Sequence, residues 1–296
     1  MTTEHSAISR RSLLQLIAAG AASSSLLPAL LRASARKRDD DEHEALDARR
    51  IERIGLQLYT VRRAMGKDLD GTLAAVAAAG VTEIEPFTYY NKPAQWWRDK
   101  MKALGFTSPS AHIGMPATDE AWLPLFEMAK AVGHEWVIVP SMPGGMRGAD
   151  GFKKFADRLN SGGELAKKSG LRIGFHNHNS EFAPIDGGPS GYDILLKNTD
   201  PKLVDFELDI YWAVKAGQDP FKLIAENGKR IVCVHVKDAG PAPELAMMDV
   251  GAGTIDFKAI IKAGRKAALK HWFIEHDNPT DDITSITASA AAMKQF

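Results

Sequence analysis

Cysteine is almost missing from this chain: Cys233 is the single one among 296 residues. That excludes an intrachain disulfide and any zinc or iron–sulfur site built on a cysteine cluster. A charge imbalance is missing as well. Lys+Arg and Asp+Glu both number 37, so there is no basic field to hold nucleic acid and no acidic tail to repel it. After residue 31 no apolar run is long enough for a membrane span. The first apolar run of the globular part is followed by Gln57-Leu58-Tyr59-Thr60 rather than a glycine-rich phosphate turn, which argues against an open dinucleotide-binding sheet. What remains is an ordinary globular balance, 45% hydrophobic and 25% charged.

The amino terminus reads as an address. Ser9-Arg10-Arg11-Ser12-Leu13-Leu14 opens a mildly apolar run that ends before Ala33-Ser34-Ala35. A charged start, an apolar middle and a small-x-small site define an export signal, and the arginine pair makes it resemble a twin-arginine signal. The expectation is a signal over 1–35 cleaved near Ala35, the twin-arginine translocation machinery as partner, a periplasmic mature protein and no stable membrane anchor. A polar stretch of both signs over 36–52, with Asp39-Asp40-Asp41-Glu42, reads as a solvated linker.

From residue 53 to 296 short β-rich runs alternate with helix-like segments. The runs are 54–59, 82–87, 106–112, 135–140, 171–176, 203–209, 231–237 and 272–275. Helices are expected at 68–79, 94–104, 119–132, 151–169, 190–197, 220–226, 257–263 and 281–294. Several end at a glycine suited to a left-handed turn: Gly80, Gly105, Gly133, Gly170 and Gly228. Eight strand–helix units with short connections predict an α/β fold, a single-domain (β/α)8 TIM barrel.

Side chains alternate in and out along a strand. If Ile173 and Phe175 face the helices, His176 faces the barrel axis. The same parity turns Glu207 and Asp209, then Cys233 and His235, then Phe273 and Glu275 inward. His176, Asp209, His235 and Glu275 therefore end four successive strands at the rim where barrel enzymes build their sites. Two imidazoles and two carboxylates suit one divalent ion of the Mn²⁺, Zn²⁺, Co²⁺ or Fe²⁺ kind better than Mg²⁺. Glu85 points in from the second strand as a base or substrate contact, with Glu83 below it, and His112 ends the third strand as a possible sugar ligand. His178 continues the His176 face as an acid or ligand-orienting group, and Lys237 follows His235, placed to polarise a carbonyl or steady an enediolate. Glu207 is expected as support beneath Asp209, Glu181 as a possible extra carboxylate, and Cys233 as inert packing. Trp96, Trp97, Trp122, Tyr89, Tyr90 and Tyr211 could wall a sugar site or simply pack the helices.

Several motifs resemble the xylose isomerase-like TIM-barrel superfamily, and among its members the sugar phosphate isomerases/epimerases. They are Ile54-Gly55-Leu56-Gln57-Leu58-Tyr59-Thr60-Val61-Arg62, Gly174-Phe175-His176-Asn177-His178 with Glu181-Phe182, Asp209-Ile210-Tyr211-Trp212 followed by Gly217-Gln218-Asp219-Pro220, Val234-His235-Val236-Lys237-Asp238, and Gly251-Ala252-Gly253-Thr254-Ile255-Asp256-Phe257. The resemblance implies metal ligation by His176, Asp209, His235 and Glu275, and substrate contacts at Gln57, Tyr59, Trp212 and His112. It implies proton transfer by Glu275, with Lys237, His178 and Glu85 as further catalytic candidates. In the superfamily's ketose epimerases a glutamate stands where this chain has His176, and two carboxylates face each other across the sugar. A histidine that follows the aspartate by three residues is replaced here by Trp212.

The resulting expectation is an exported, metal-dependent isomerase or epimerase acting on a non-phosphorylated sugar through an enediolate. The alternatives are a lyase or dehydratase of keto-glycosides or inosose on the same site, and a sugar-binding barrel without turnover. Only Gly144-Gly145 and Gly251-Ala252-Gly253 could grip a phosphate.

Overall fold

In the computed structural model of the chain, Ile51 and residues 53–296 are described. The expected signal over 1–35 and all but one residue of the 36–52 linker lie outside the described residues. Eight parallel strands form the barrel: β1 Gly55–Gln57, β2 Glu83–Glu85, β3 Ser110–His112, β4 Trp136–Val139, β5 Arg172–His176, β6 Val204–Asp209, β7 Ile231–Val236 and β8 His271–Ile274. They are ordered β2-β1-β8-β7-β6-β5-β4-β3. Between the two end strands of that order the backbone closes only sparsely. A parallel bridge joins Glu83 to Thr107, Ile84 N donates to Thr107 O at 2.9 Å, and His112 N donates to Pro86 O at 2.8 Å.

The expected strand 106–112 is shortened to its last three residues. Pro109 has no N–H to give to a ladder, and the Ser108 hydroxyl donates to Ile84 O at 2.8 Å instead. The first strand stops at Gln57 because its side-chain oxygen accepts from Tyr59 N, winding Leu58–Val61 into a 3-10 turn.

Helices lie where the pattern places them, with two additions, Arg62–Lys67 and Ile210–Lys215. Asp68, Asp219, Asp256 and Asp281 each cap a helix start through a side-chain oxygen. Gly105, Gly133 and Gly170 end helices in the left-handed region. Gly228 departs from that expectation, with φ of −55°. Its role is proximity, since a Cβ there would sit 2.7 Å from the Ala267 Cβ.

The apolar core lies between strands and helices. Val204, Phe206 and Leu208, on the outer face of β6, are fully buried, each contributing about 1.5–3 kcal/mol. Phe155 of helix Gly148–Ser169 packs edge-on against Phe175 of β5. Inside the barrel the lining is polar. Its floor holds Arg172, whose Nη2 donates to Asp205 at 2.8 Å, and His271, 3.0 Å from Glu83. No described helix is long and apolar enough to cross a membrane.

Candidate active site at the barrel mouth

Strand parity delivers the four rim residues to one place. Ligand-competent atoms of His176, Asp209, His235 and Glu275 all lie within 4.8 Å of one another, and all four residues are buried. Asp209 reaches the site from a doubly fixed backbone. It exchanges hydrogen bonds with the Asn177 amide at 3.1 and 3.3 Å, and its Oδ1 caps helix Ile210–Lys215 by accepting from Trp212 N at 2.9 Å. That leaves Oδ2 for the site.

The two imidazoles are aimed by what they touch on the far side. His176 Nδ1 lies 3.3 Å from the Pro140 carbonyl, which can only accept, so the proton belongs there. Its bare Nε2 then faces Asp209 Oδ2 at 3.3 Å. Burial pushes the His176 pKa down to about 4 and keeps the ring neutral. His235 Nε2 sits 2.9 Å from Glu85 Oε2 and 3.1 Å from Glu207 Oε2, which fixes a proton on that nitrogen. Its Nδ1 lies 2.7 Å from Glu275 Oε2, yet both atoms are buried without a hydrogen bond. This imidazole nitrogen and carboxylate oxygen, close together but without hydrogen-bond geometry between them, are turned toward a common cation: a proton on Nδ1, or an ion that displaces it. The donor set fits a divalent metal ion.

Beneath this cluster lies a second one that crosses the barrel: Glu85, His112, Glu207 and His235. His112 Nε2 is 2.6 Å from Glu207 Oε2 and 3.3 Å from Glu85 Oε2. Burial works against charge on both rings, but the carboxylates prevail: Glu207 and Glu275 hold the His235 pKa well above the ordinary imidazole value, and Glu85 and Glu207 raise that of His112. Glu207 thus stands under Asp209 as support. Glu85 and Gln57 belong to this lower layer too. The Gln57 amide donates to Glu85 Oε2 at 2.7 Å and accepts from Tyr59 N, so both its polar atoms are engaged inside the barrel.

Above the cluster opens a cavity of about 530 Å³, lined among others by Tyr59, His112, His176, His178, Lys237 and Glu275. Of the expected substrate contacts, Tyr59 and His112 line it, while Gln57 lies below. Trp212 stands behind, with the Lys237 ammonium 5.7 Å from its ring and His178 5.6 Å away. Glu181 is turned from the mouth: its carboxylate accepts from His178 N at 2.7 Å and from the Ser180 hydroxyl at 2.9 Å. Trp97 and Trp122 are core residues, and Cys233 is buried with its thiol pKa raised by burial.

Lys237, from a strand end that could equally have faced solvent, is fully buried. Its Nζ lies 3.0 Å from Asp209 Oδ2 and 2.8 Å from both Glu275 Oε2 and Asp277 Oδ1. Burial opposes its charge, but those three carboxylates hold its pKa above the ordinary lysine value. Asp277 escaped the sequence reading although it continues the Glu275 parity by one further step. Glycine-rich 251–253 is not an anion cradle. Gly251 N and Gly253 N donate to Asp238 Oδ2 at 2.9 and 3.0 Å, and Ala239 N and Ile255 N to Oδ1 at 2.8 and 3.2 Å.

A parallel barrel whose C-terminal rim gathers two imidazoles, two carboxylates and a buried lysine around one cavity defines a class of small-molecule enzyme scaffolds. Within that class the chain belongs to the xylose isomerase-like TIM barrel family, matched over residues 73–295. It is similar to an inosose dehydratase from Geobacillus thermodenitrificans (strain NG80-2), 30% identical over 134 residues, or 40% of this chain and 44% of that protein. The match thus spans less than half the length of that relative. A sugar phosphate isomerase/epimerase from Parabacteroides distasonis ATCC 8503 superposes with a TM-score of 0.72 at 26% identity, over 82% of this chain and 94% of that one. A zinc-containing structure of the IolI protein superposes with a TM-score of 0.63 at 16% identity, over 81% and 96% of the two chains, a likeness of fold alone.

Proposed function

We propose that this chain is a metal-dependent lyase or dehydratase that eliminates water or an alcohol from the carbon β to the carbonyl of a polyhydroxy ketone. The observation that carries the reading is the asymmetry of the mouth. The acidic groups that line it, Glu275 and Asp277, are both within 2.8 Å of Lys237, and His112 and His178 supply the remaining proton-carrying groups. No second carboxylate faces Glu275 from position 176, so the paired-carboxylate route to epimerisation has no second partner there. The inosose dehydratase relative supports the elimination reading.

His176, Asp209, His235 and Glu275 would hold the ion. When bound, it supplies Lewis acidity to the carbonyl oxygen and a neighbouring hydroxyl. Lys237 adds fixed positive charge where the enediolate forms. Burial raises the Glu275 pKa, but Lys237 and His235 outweigh it and leave the carboxylate well below the ordinary range, which makes Glu275 a firmer ligand than base. The His178 ring has no hydrogen bond among the described residues and lies on the cavity, placed to take the proton next to the carbonyl. The electron pair left behind becomes the enolate, then the new C=C bond, as the β C–O bond breaks. His112, paired with Glu207, gives the departing oxygen its proton.

A ketone without phosphate fits best, because the N–H groups of the 251–253 loop are already taken by Asp238. Export of the mature chain to the periplasm, proposed on Arg10 and Arg11, agrees with such a substrate. The second reading, isomerisation or epimerisation, draws on the Parabacteroides distasonis neighbour.

The test is incubation of the Mn²⁺- or Zn²⁺-loaded protein with an inosose and a panel of ketoses and keto-glycosides in D₂O, followed by NMR. Vinylic or enolised-dione signals with loss of water or alcohol are expected. Deuterium washed into recovered ketone without unsaturation would move the assignment to the isomerase reading. Binding without either change would leave a sugar-binding barrel.

A further inference from the structure

Lys237 reaches the site from the strand that carries His235, and its ammonium is drawn to the same oxygens as the ion. Nζ is 3.0 Å from Asp209 Oδ2 and 2.8 Å from Glu275 Oε2, and both oxygens belong to the cluster of metal-competent atoms. Neither contact has hydrogen-bond geometry, and Glu275 Oε2 is left without a hydrogen-bond partner among the described residues. Among the described residues, the side-chain hydrogen bond that Nζ makes is to Asp277 Oδ1, at 2.8 Å. Asp277 is a quarter exposed, whereas Asp209 and Glu275 are buried. Trp212 backs the ammonium at 5.7 Å.

We propose that Lys237 is a built-in competitor for the metal's carboxylates and that Asp277 is the alternative anchor onto which its ammonium withdraws when a divalent ion binds. The inference rests on the metal reading above and adds to it a residue pair that sets how tightly the ion is held. Two cations cannot share Asp209 Oδ2 and Glu275 Oε2 at full strength, since an ammonium within 3.0 Å of both oxygens occupies the space beside them and repels a second positive charge at close range. A short shift of a flexible four-carbon side chain resolves the conflict, because its hydrogen-bond acceptor at Asp277 is already in place. The ammonium stays at the mouth after the shift, beside the substrate's oxygen.

The measurement is isothermal titration of metal-stripped full-length protein with Mn²⁺, alongside circular dichroism to verify folding. Lys237→Met should bind Mn²⁺ about tenfold or more tightly than the parent, the scale on which groups behind metal ligands act. Asp277→Asn should bind it more weakly, and that loss should vanish in the Lys237→Met/Asp277→Asn double variant, because Asp277 acts through the lysine. Equal or weaker binding by folded Lys237→Met overturns the proposal. If that variant does not fold, Asp277→Asn decides alone: unchanged or tighter binding refutes it. Absence of Mn²⁺ binding in every protein would sink the metal reading itself, and the proposal with it. Binding in parent and Lys237→Met alike would leave the metal reading standing while removing the competitor.

Discussion

His134 should make this fold acid-sensitive at a place far from the chemistry. It follows Gly133 in the turn into β4 and is 5% exposed. Its Nδ1 lies 2.8 Å from the Ser108 carbonyl, so that nitrogen carries the proton and donates it. The other nitrogen, Nε2, is buried with no partner, and the ring stacks on Tyr89 at 6.0 Å. Protonation would bury a charged N–H with nothing to accept it. Burial accordingly pushes the pKa from 6.5 down to about 4, against a small opposing effect of the Ser108 carbonyl. A folded pKa below the unfolded one means that the unfolded chain binds the extra proton. The stability is therefore fully present above the unfolded pKa of 6.5 and is lost as the pH falls through 6.5 toward about 4. At 1.36 kcal/mol per unit the whole effect is about 3 kcal/mol, of which about 2 kcal/mol is lost between about pH 8 and about pH 5. His134→Asn keeps a donor near the Ser108 carbonyl and cannot titrate. It should cost about 1–2 kcal/mol at about pH 8, where the stacked ring is lost. Urea denaturation of both proteins across the range should then show the parent's advantage closing, and at the low end of that cost reversing, a relative change of about 2 kcal/mol toward about pH 5. A gap that stays constant with pH would refute the argument, since His134 would then titrate alike in both states.

Other outcomes follow from the mouth and its supports. His178→Ala should lower substrate proton exchange by about 10²–10⁴-fold while leaving Mn²⁺ affinity unchanged by titration; Glu275→Gln should do the reverse first, weakening Mn²⁺ binding. Asp238→Ala removes the acceptor of four backbone N–H groups and should cost about 3 kcal/mol or more, read from chemical denaturation, with the loop over 249–255 losing amide protection. Replacing both Arg10 and Arg11 by lysine should hold the precursor inside the cell, scored by fractionation; normal export of that variant would dismiss the twin-arginine assignment.

Period-two alternation was enough to bring His176, Asp209, His235 and Glu275 to one rim, because inward parity within a strand is set by local geometry and strand ends share a height in a parallel barrel. The same logic placed Glu207 one layer below. It could not see that Glu85 meets His235, 150 residues away in sequence, since cross-barrel partners leave no periodic trace. Nor could it tell that Lys237 is buried, because a lysine at a strand end is equally at home in solvent. Asp277 lies just past the ladder, where alternation no longer dictates direction. Proline explains the strand limits: Pro86 and Pro109 deny the seam between β2 and β3 the N–H groups that the apolar pattern alone would have promised.

That seam gives the polar interior a mechanical task. Where β2 and β3 meet, main-chain pairing is thin, and it is here that His112 of β3 comes within 3.3 Å of Glu85 of β2, both of them tied to the opposite wall through Glu207 and His235. At this seam the barrel is thus sewn shut from the inside by side chains as well as by its few main-chain bonds. Amide protons at Ile84 and Thr107 should be the first of the ladder to exchange, and a change at Glu85 or Glu207 would loosen the wall as well as the ring it holds. In this cylinder the stitching and the working parts are the same residues, so the mouth cannot be redesigned freely without regard to what keeps the tube round.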